Sequence, residues 1–155
     1  MAKFESTKII DLGSCAFRQP RAQSHCKMLH GYKLYAKFTF GCDELDENHW
    51  CVNFGGLKGL KQKLEQQFDH TTCIAADDPE MELFKLMHTK GICDLRVMHN
   101  GTGIERIAEW CYEVGKENIE MMTDFRCWVK QVEVWEHENN SVIISREVNT
   151  LSSKV

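Results

Sequence analysis

Residues 32–42 read Y-K-L-Y-A-K-F-T-F-G-C. Leu34, Ala36, Phe38 and Phe40 fall on one side of an extended chain, and Lys33, Tyr35, Lys37 and Thr39 on the other. This period of two predicts a strand with one buried and one wet face. Working back toward the N-terminus, residues 8–17 are also β-prone, and the stretch between the two segments is basic. The pair reads as two strands joined by a basic loop.

Beyond residue 56 the period changes. Leu57, Leu60, Leu64 and Phe68 recur at helical spacing with polar residues between them, which predicts a helix packing one face. Asp78-Pro79 offers a cap and a first-turn proline for a short helix through Met81, Phe84 and Met87. Ile104, Ile107, Ala108, Cys111 and Val114 form a third stripe, and Thr102-x-x-Glu105 has the form of a capping box. Residues 129–135 and 141–145 read as two further strands around the turn residues Asn139-Asn140. The order β-β-α-(α)-α-β-β implies a four-stranded antiparallel sheet with helices on one face, an α+β fold. A chain of 155 residues suits one domain, 1–155, compact from about residue 4 to 147. The last residues, N-T-L-S-S-K-V, read as a frayed tail.

No run approaches the roughly twenty apolar residues that a membrane span requires, and charges interrupt the first ten residues, so neither a span nor a cleaved signal is expected. Eight cysteines are scattered without a C-x-x-C pair, which points to reduced thiols in a cytoplasmic protein rather than a disulfide framework. A net charge of −4 argues against general nucleic-acid binding. The charge is unevenly spread: residues 12–42 contain no acid but include Arg18, Arg21, Lys27, Lys33 and Lys37. Such a segment can focus an anionic small molecule, or be a solvated strand and loop.

Three constellations carry chemistry. Cys26, within C26-K-M-L-H-G-Y32, is flanked by His25 and Lys27 with Arg21 nearby, and cations favour the reactive thiolate; taken alone it also reads as an inert thiol. Asp69-His70 follows the first helix, and an acid beside an imidazole can orient a proton-transfer group. Glu136 ends V-E-V-W-E-H at a hairpin, where a carboxylate can accept two N–H bonds from the amidine edge of a heterocycle. An exposed hairpin charge is the alternative there.

Taken together and in order, these segments resemble the 6-pyruvoyl-tetrahydropterin synthase and 6-carboxy-tetrahydropterin synthase family over roughly residues 8–147. Cys26 falls on the family's catalytic cysteine, four residues before the first histidine of its H-G-H metal motif, which is His30 here. V52-N-F-G-G-L-K58 is similar to the family's V-x-D-F-x-x-L-K, with Asn53 for aspartate. F68-D-H70 matches its L-D-H, and residues 77–97 resemble an insertion common in the carboxy-tetrahydropterin branch. N100-G-T-G-I-E105 resembles N-P-T-x-E without the proline and with one extra residue. V132-E-V-W-E136 matches the closing V-x-V-x-E. The resemblance implies the tunnelling fold (T-fold). It also implies a cytoplasmic homo-oligomer, trimer or hexamer, with sites between subunits, and a place in 7-deazaguanine (queuosine) or tetrahydrobiopterin-type synthesis.

By the same resemblance, Cys26, Asp69 and His70 are catalytic, and Glu136, Thr102 and Glu105 bind the pterin. The family's zinc is held by three histidines, one on the first strand and two in H-G-H; here only His30 remains. Tyr32 stands at the last position, and the first strand offers Cys15 or Phe17 according to the alignment. Phenol titrates near ~10 and phenylalanine cannot ligate, so this is a degenerate zinc site, with Cys15 and Tyr32 as the poor substitutes. Two readings of function follow. One is a lyase-type enzyme acting on a reduced pterin such as 7,8-dihydroneopterin triphosphate. The other is a non-catalytic or altered-activity pterin- or purine-binding homologue that has lost the zinc site.

Overall fold

The structure is a computed structural model describing residues 2–146. The expected tail, and Glu147 as the end of the compact region, lie outside the described residues. The alternating segment is strand β2 (His30–Cys42), paired antiparallel with β1 (Phe4–Phe17) from Phe4 opposite Cys42 to Phe17 opposite His30. Leu34, Ala36, Phe38 and Phe40 are fully buried. They share one core with Leu60, Leu64 and Phe68 of α1 (Lys58–Phe68) and with Ile107, Ala108 and Cys111 of α3 (Ile104–Thr123). The second hairpin, β5 (Cys127–His137) and β6 (Asn140–Ser145), joins the other edge of β2.

The α+β class and the helix stripes are as the sequence reads, but the sheet has six strands, not four, and is mixed. Its order is β4-β3-β1-β2-β5-β6, with β3 (Thr71–Ala75) and β4 (Leu95–Met98) added in parallel beside the C-terminal end of β1. The physical reason is burial: every residue of β3 is buried, so the segment shows no alternation. Helix α2 (Met81–Thr89) packs on these two strands. Phe84 of α2 and Ile74 of β3 are buried outside the main cluster. The helix begins after a turn in which Asp78 Oδ1 accepts from Glu80 N at 2.8 Å, so Asp78 organises the entry without being its cap.

Strand β1 carries one irregularity, between Asp11 and Gly13. Ile10 is buried before it, Leu12 within it, and Cys15 and Phe17 after it. One extra residue therefore resets the alternation so that both halves of the strand face the core. Among the described residues no helix is long and apolar enough to cross a membrane.

Candidate functional site

The mouth of the β1–β2 hairpin gathers an aromatic cluster. The ring of Phe17 stands 5.1 Å from that of His30 and 6.0 Å from that of Tyr32, and His30 meets Tyr32 edge-on at 5.3 Å. His137, at the end of β5, lies 6.0 Å from Tyr32 on another side. His30 Nδ1 donates to the Met28 carbonyl at 2.7 Å, which leaves Nε2 as its accepting or ligating atom when the ring is neutral. Cys15 is opposite Tyr32 in register, but its thiol turns toward β3 and lies 3.5 Å from Cys73 Sγ. The hydrogen bond with Cys15, together with burial, pushes the Cys73 thiol up, while the same contact pushes that of Cys15 down.

Tyr32 packs between Phe17 and His30 on one side and His137 on the other. Burial pushes its phenol pKa up, and the charges of Glu136 and Cys26 push it further. The hydroxyl therefore stays protonated, a donor, beyond the usual tyrosine range. Glu136 reaches this point because the pairing of β5 with β6 shifts between Trp135 and His137, and such a bulge re-aims a side chain. Its Oε1 accepts from Asn140 Nδ2 at 3.1 Å, and its side chain is only 22% exposed.

Cys26 sits on a single 3-10 turn, His25–Lys27, capped by Ser24. Its carbonyl accepts from Gln19 N at 2.9 Å, which closes the loop between β1 and β2. Thr102 is tied to the same loop, for its hydroxyl donates to the carbonyl of Arg18. The expected capping box is absent: Gly103 holds the N-cap position before α3, with φ 108° and no side-chain cap. That backbone conformation, open to glycine, turns Thr102 from the helix toward β1. A Cβ on Gly103 would stand 2.5 Å from Gln19 Nε2 and 3.4 Å from Glu105 Oε2, so Gln19, Glu105 and Thr102 crowd one corner of the loop.

Asp69 and His70 lie apart from this group. His70 N donates to Ser14 O at 2.7 Å, so the pair is anchored three positions, about 10 Å, along β1 from Phe17 and His30. Asp69 Oδ1 accepts from Ser14 N at 3.2 Å and lies 2.8 Å from His70 Nδ1. The His70 side chain is 84% exposed. Among the described residues no hydrogen bond joins the pair to Cys26.

No motif assigns a role to three further residues at this mouth. His137 and Gln19 are placed by neighbours, and Arg18 is placed by Asp78, sixty residues away. The Arg18 guanidinium grips the Asp78 carboxylate, with Nε 2.7 Å from Oδ2, and holds its pKa below the usual carboxylate value. Arg21 pairs with Asp77, and Lys33 with Asp11 at 3.3 Å, so much of the basic segment is neutralised by partners from elsewhere. A cavity of about 410 Å³ adjoins the loop, with Gln19, Arg21, His99, Thr102 and Arg106 in its wall. The one group of three residues close enough to share a metal, among the described residues, is not here: it is Cys42, Cys51 and Cys127.

Comparison with known proteins agrees with this architecture. Among solved structures, an uncharacterized protein from Wolinella succinogenes superposes with a TM-score of 0.81 at 18% identity, covering 93% of this chain and 98% of that one. The 6-pyruvoyl tetrahydropterin synthase of Plasmodium vivax superposes with a TM-score of 0.65 at 14% identity, covering 94% and 100%. These likenesses establish the T-fold. The 6-carboxy-5,6,7,8-tetrahydropterin synthase of Rickettsia conorii is 30% identical over 60 residues, 38% of this chain and 44% of that protein. Its counterpart from Aquifex aeolicus is 25% identical over 105 residues, 67% of this chain and 65% of that protein. The chain thus spans less than two thirds of either relative. The 6-pyruvoyl tetrahydropterin synthase family model matches residues 12–147, from the irregularity in β1 through the final hairpin. With the match running through the hairpin mouth, all three helices and the Glu136 bulge, the chain belongs to the 6-pyruvoyl tetrahydropterin synthase family.

Proposed function

We propose that this protein is a tetrahydropterin-synthase-like lyase acting on a reduced pterin with a phosphorylated side chain, such as 7,8-dihydroneopterin triphosphate. The observation that carries this reading is the meeting of Tyr32 with His30 and His137, with Glu136 Oε1 3.9 Å from His137 Nε2, at the mouth that the Cys26 loop closes. Glu136 accepts two N–H bonds from the pterin edge and fixes the ring, a charge-assisted pairing. Thr102 and Glu105 are the further candidates for holding the pterin, Thr102 being tied to the Cys26 loop through the Arg18 carbonyl. The Cys26 thiolate takes a carbon-bound proton from the side chain of the substrate and returns it as protons move toward elimination of triphosphate or a two-carbon aldehyde.

The residues at this mouth do not fit the family's zinc. Phe17 brings no ligand atom to His30, Cys15 is turned to Cys73, and Tyr32 keeps its proton. The donor to the oxyanion that forms as the carbon-bound proton leaves is then the Tyr32 hydroxyl. One neutral hydrogen bond is a weaker stabiliser than a cation, so turnover is slow. Asp69 and His70 complete the proton relay from a neighbouring subunit, in a trimer or hexamer, since the exposed His70 ring lies about 10 Å from its own hairpin mouth. The cytoplasm is the expected compartment, and synthesis of 7-deazaguanine or tetrahydrobiopterin-type products the expected setting.

The lone nitrogen ligand, His30, favours a second reading: a pterin- or purine-binding homologue without catalysis. One experiment separates the two. The purified protein is incubated with 7,8-dihydroneopterin triphosphate and product is followed by mass. Turnover that vanishes in Cys26→Ala supports the lyase; tight binding without any turnover supports the binder. Unchanged ligand binding in Glu136→Ala sinks the ring anchor on which both depend.

A further inference from the structure

At the opposite end of β2, twelve residues and about 40 Å along the strand from His30, three thiols converge. Cys42 closes β2, Cys127 opens β5, and the two are direct register partners. Cys51 joins them from the loop after β2. The three sulfurs all lie within 4.8 Å of one another, and the residues are 0%, 5% and 1% exposed for Cys42, Cys51 and Cys127. We propose that Cys42, Cys51 and Cys127 form a structural site for a thiophilic divalent cation of the zinc class.

The geometry requires little adjustment. A tetrahedral cation with metal–sulfur bonds of about 2.3 Å holds its sulfurs about 3.8 Å apart, so closure asks for movements of about 1 Å or less. The loop that presents Cys51 is already built. Asp46 Oδ1 accepts from Asn48 N and Trp50 N at 2.8 and 2.9 Å, closing its turn. The guanidinium of Arg126 then donates to the carbonyls of Glu44 and Cys51 at 2.8 Å each, stitching the loop to the start of β5. Cys127 Sγ points at the same loop, 2.8 Å from the Cys51 carbonyl.

The donor set chooses the ion. Three sulfurs without a carboxylate select a soft or borderline cation over calcium or magnesium. Charge then selects valence: three thiolates and a divalent ion leave one negative charge, which the adjacent Arg126 offsets, whereas a monovalent ion leaves two. Thiols bind such a cation as thiolates, so loading the site releases protons. Cys51 also lines a cavity of about 540 Å³. The location, far from the hairpin mouth, makes the role one of fastening the 43–53 loop to the sheet.

The test uses the full chain, purified under reducing, oxygen-free conditions, loaded with zinc chloride and desalted. Metal content, intact mass and thermal midpoint are then measured. The expected result is about one equivalent of zinc, a midpoint raised by zinc, and loss of both in Cys51→Ser. Zinc content unchanged in His30→Ala and Cys26→Ser would assign the ion to this end of the sheet. If Cys51→Ser is poorly folded, cobalt substitution of the unmutated protein serves: thiolate-to-cobalt charge-transfer absorption is expected. The proposal is overturned by zinc retained in Cys51→Ser, by no bound zinc in the reduced protein, or by absence of thiolate bands with cobalt. A mass lower by two hydrogens without metal also overturns it, marking a Cys42–Cys127 disulfide instead.

Discussion

The carboxylate of Asp69 occupies the space where residue 13 would carry a side chain: a Cβ on Gly13 would stand 2.0 Å from Asp69 Oδ1. Gly13 also has φ +83°, a conformation that L side chains rarely adopt. Gly13→Ala is therefore expected to expel Asp69 and break its bonds to Ser14 N and His70. Unfolding by urea should show a loss of more than about 1 kcal/mol, and turnover should fall with it. Wild-type stability in this variant would mean that the Asp69 position is not fixed by the β1 irregularity.

Arg18 and Asp78 test how the 77–97 segment supports the Cys26 loop. The Asp78 side chain is fully buried and that of Arg18 is 18% exposed. Removing the arginine strands a buried carboxylate, and Arg18→Ala should cost roughly 3 kcal/mol. The pH dependence follows from the lowered Asp78 pKa, caused first by the Arg18 hydrogen bond. The stabilisation is full above the unfolded carboxylate value near ~3.9 and is lost as pH falls through the lower folded value. Acid titration of stability in wild type and Arg18→Ala should differ in that window and run parallel above it.

The Phe17–His30–Tyr32 cluster predicts how the metal site could be rebuilt. The double variant Phe17→His/Tyr32→His should gain about one equivalent of zinc over the parent, read by metal analysis, because it restores three nitrogen donors at one mouth. Cys15→His/Tyr32→His should not, since position 15 points to Cys73. Equal zinc uptake by both would refute the side-chain directions described here.

Tyr32→Phe isolates the hydroxyl from the ring. Packing against Phe17, His30 and His137 is kept, so ligand affinity should be nearly unchanged, while kcat should fall about a hundredfold. Because the phenol pKa is raised, the hydroxyl remains a donor beyond the usual tyrosine range, and this group should contribute no loss of activity on the alkaline side up to about pH 9. An alkaline limb in that range that disappears in Tyr32→Phe would contradict it.

The core supplies a control that leaves the mouth alone. Phe38 is fully buried and stacks on Phe40 with ring centroids 5.8 Å apart. Phe38→Ala should lower stability by about 3–5 kcal/mol in chemical denaturation without a change in ligand specificity.

Local periodicity exposed the parts of this fold that meet water on one side. Strand β2 alternates because its Lys33 and Tyr35 side is exposed, and α1 and α3 show stripes for the same reason. Strand β3 was illegible because T-T-C-I-A is covered on both sides and too short to separate from a loop. The Thr102 capping pattern misled because two glycines around it permit a backbone course that no helix signal encodes. Cys26, His30 and Glu136 could be named from their motifs, yet the choice between Cys15 and Phe17 depends on pairing register and side-chain direction. Gln19 and the Arg18–Asp78 pair depend on contacts across 60 or more residues, which spacing cannot carry.

The extra residue in β1 gives the chain an odd-even fault line. Residues before Leu12 reach the core on even numbers, and those after Gly13 reach it on odd ones. Deleting one residue at this point would leave Cys15, Phe17 and the whole 18–32 loop chemically intact while sending either the start or the end of β1 to the wrong side of the sheet. In this protein, then, the spacing between residues 10 and 15 is as much a determinant of the hairpin mouth as any side chain in it, and a change in length there would erase the mouth while every motif could still be found in the sequence.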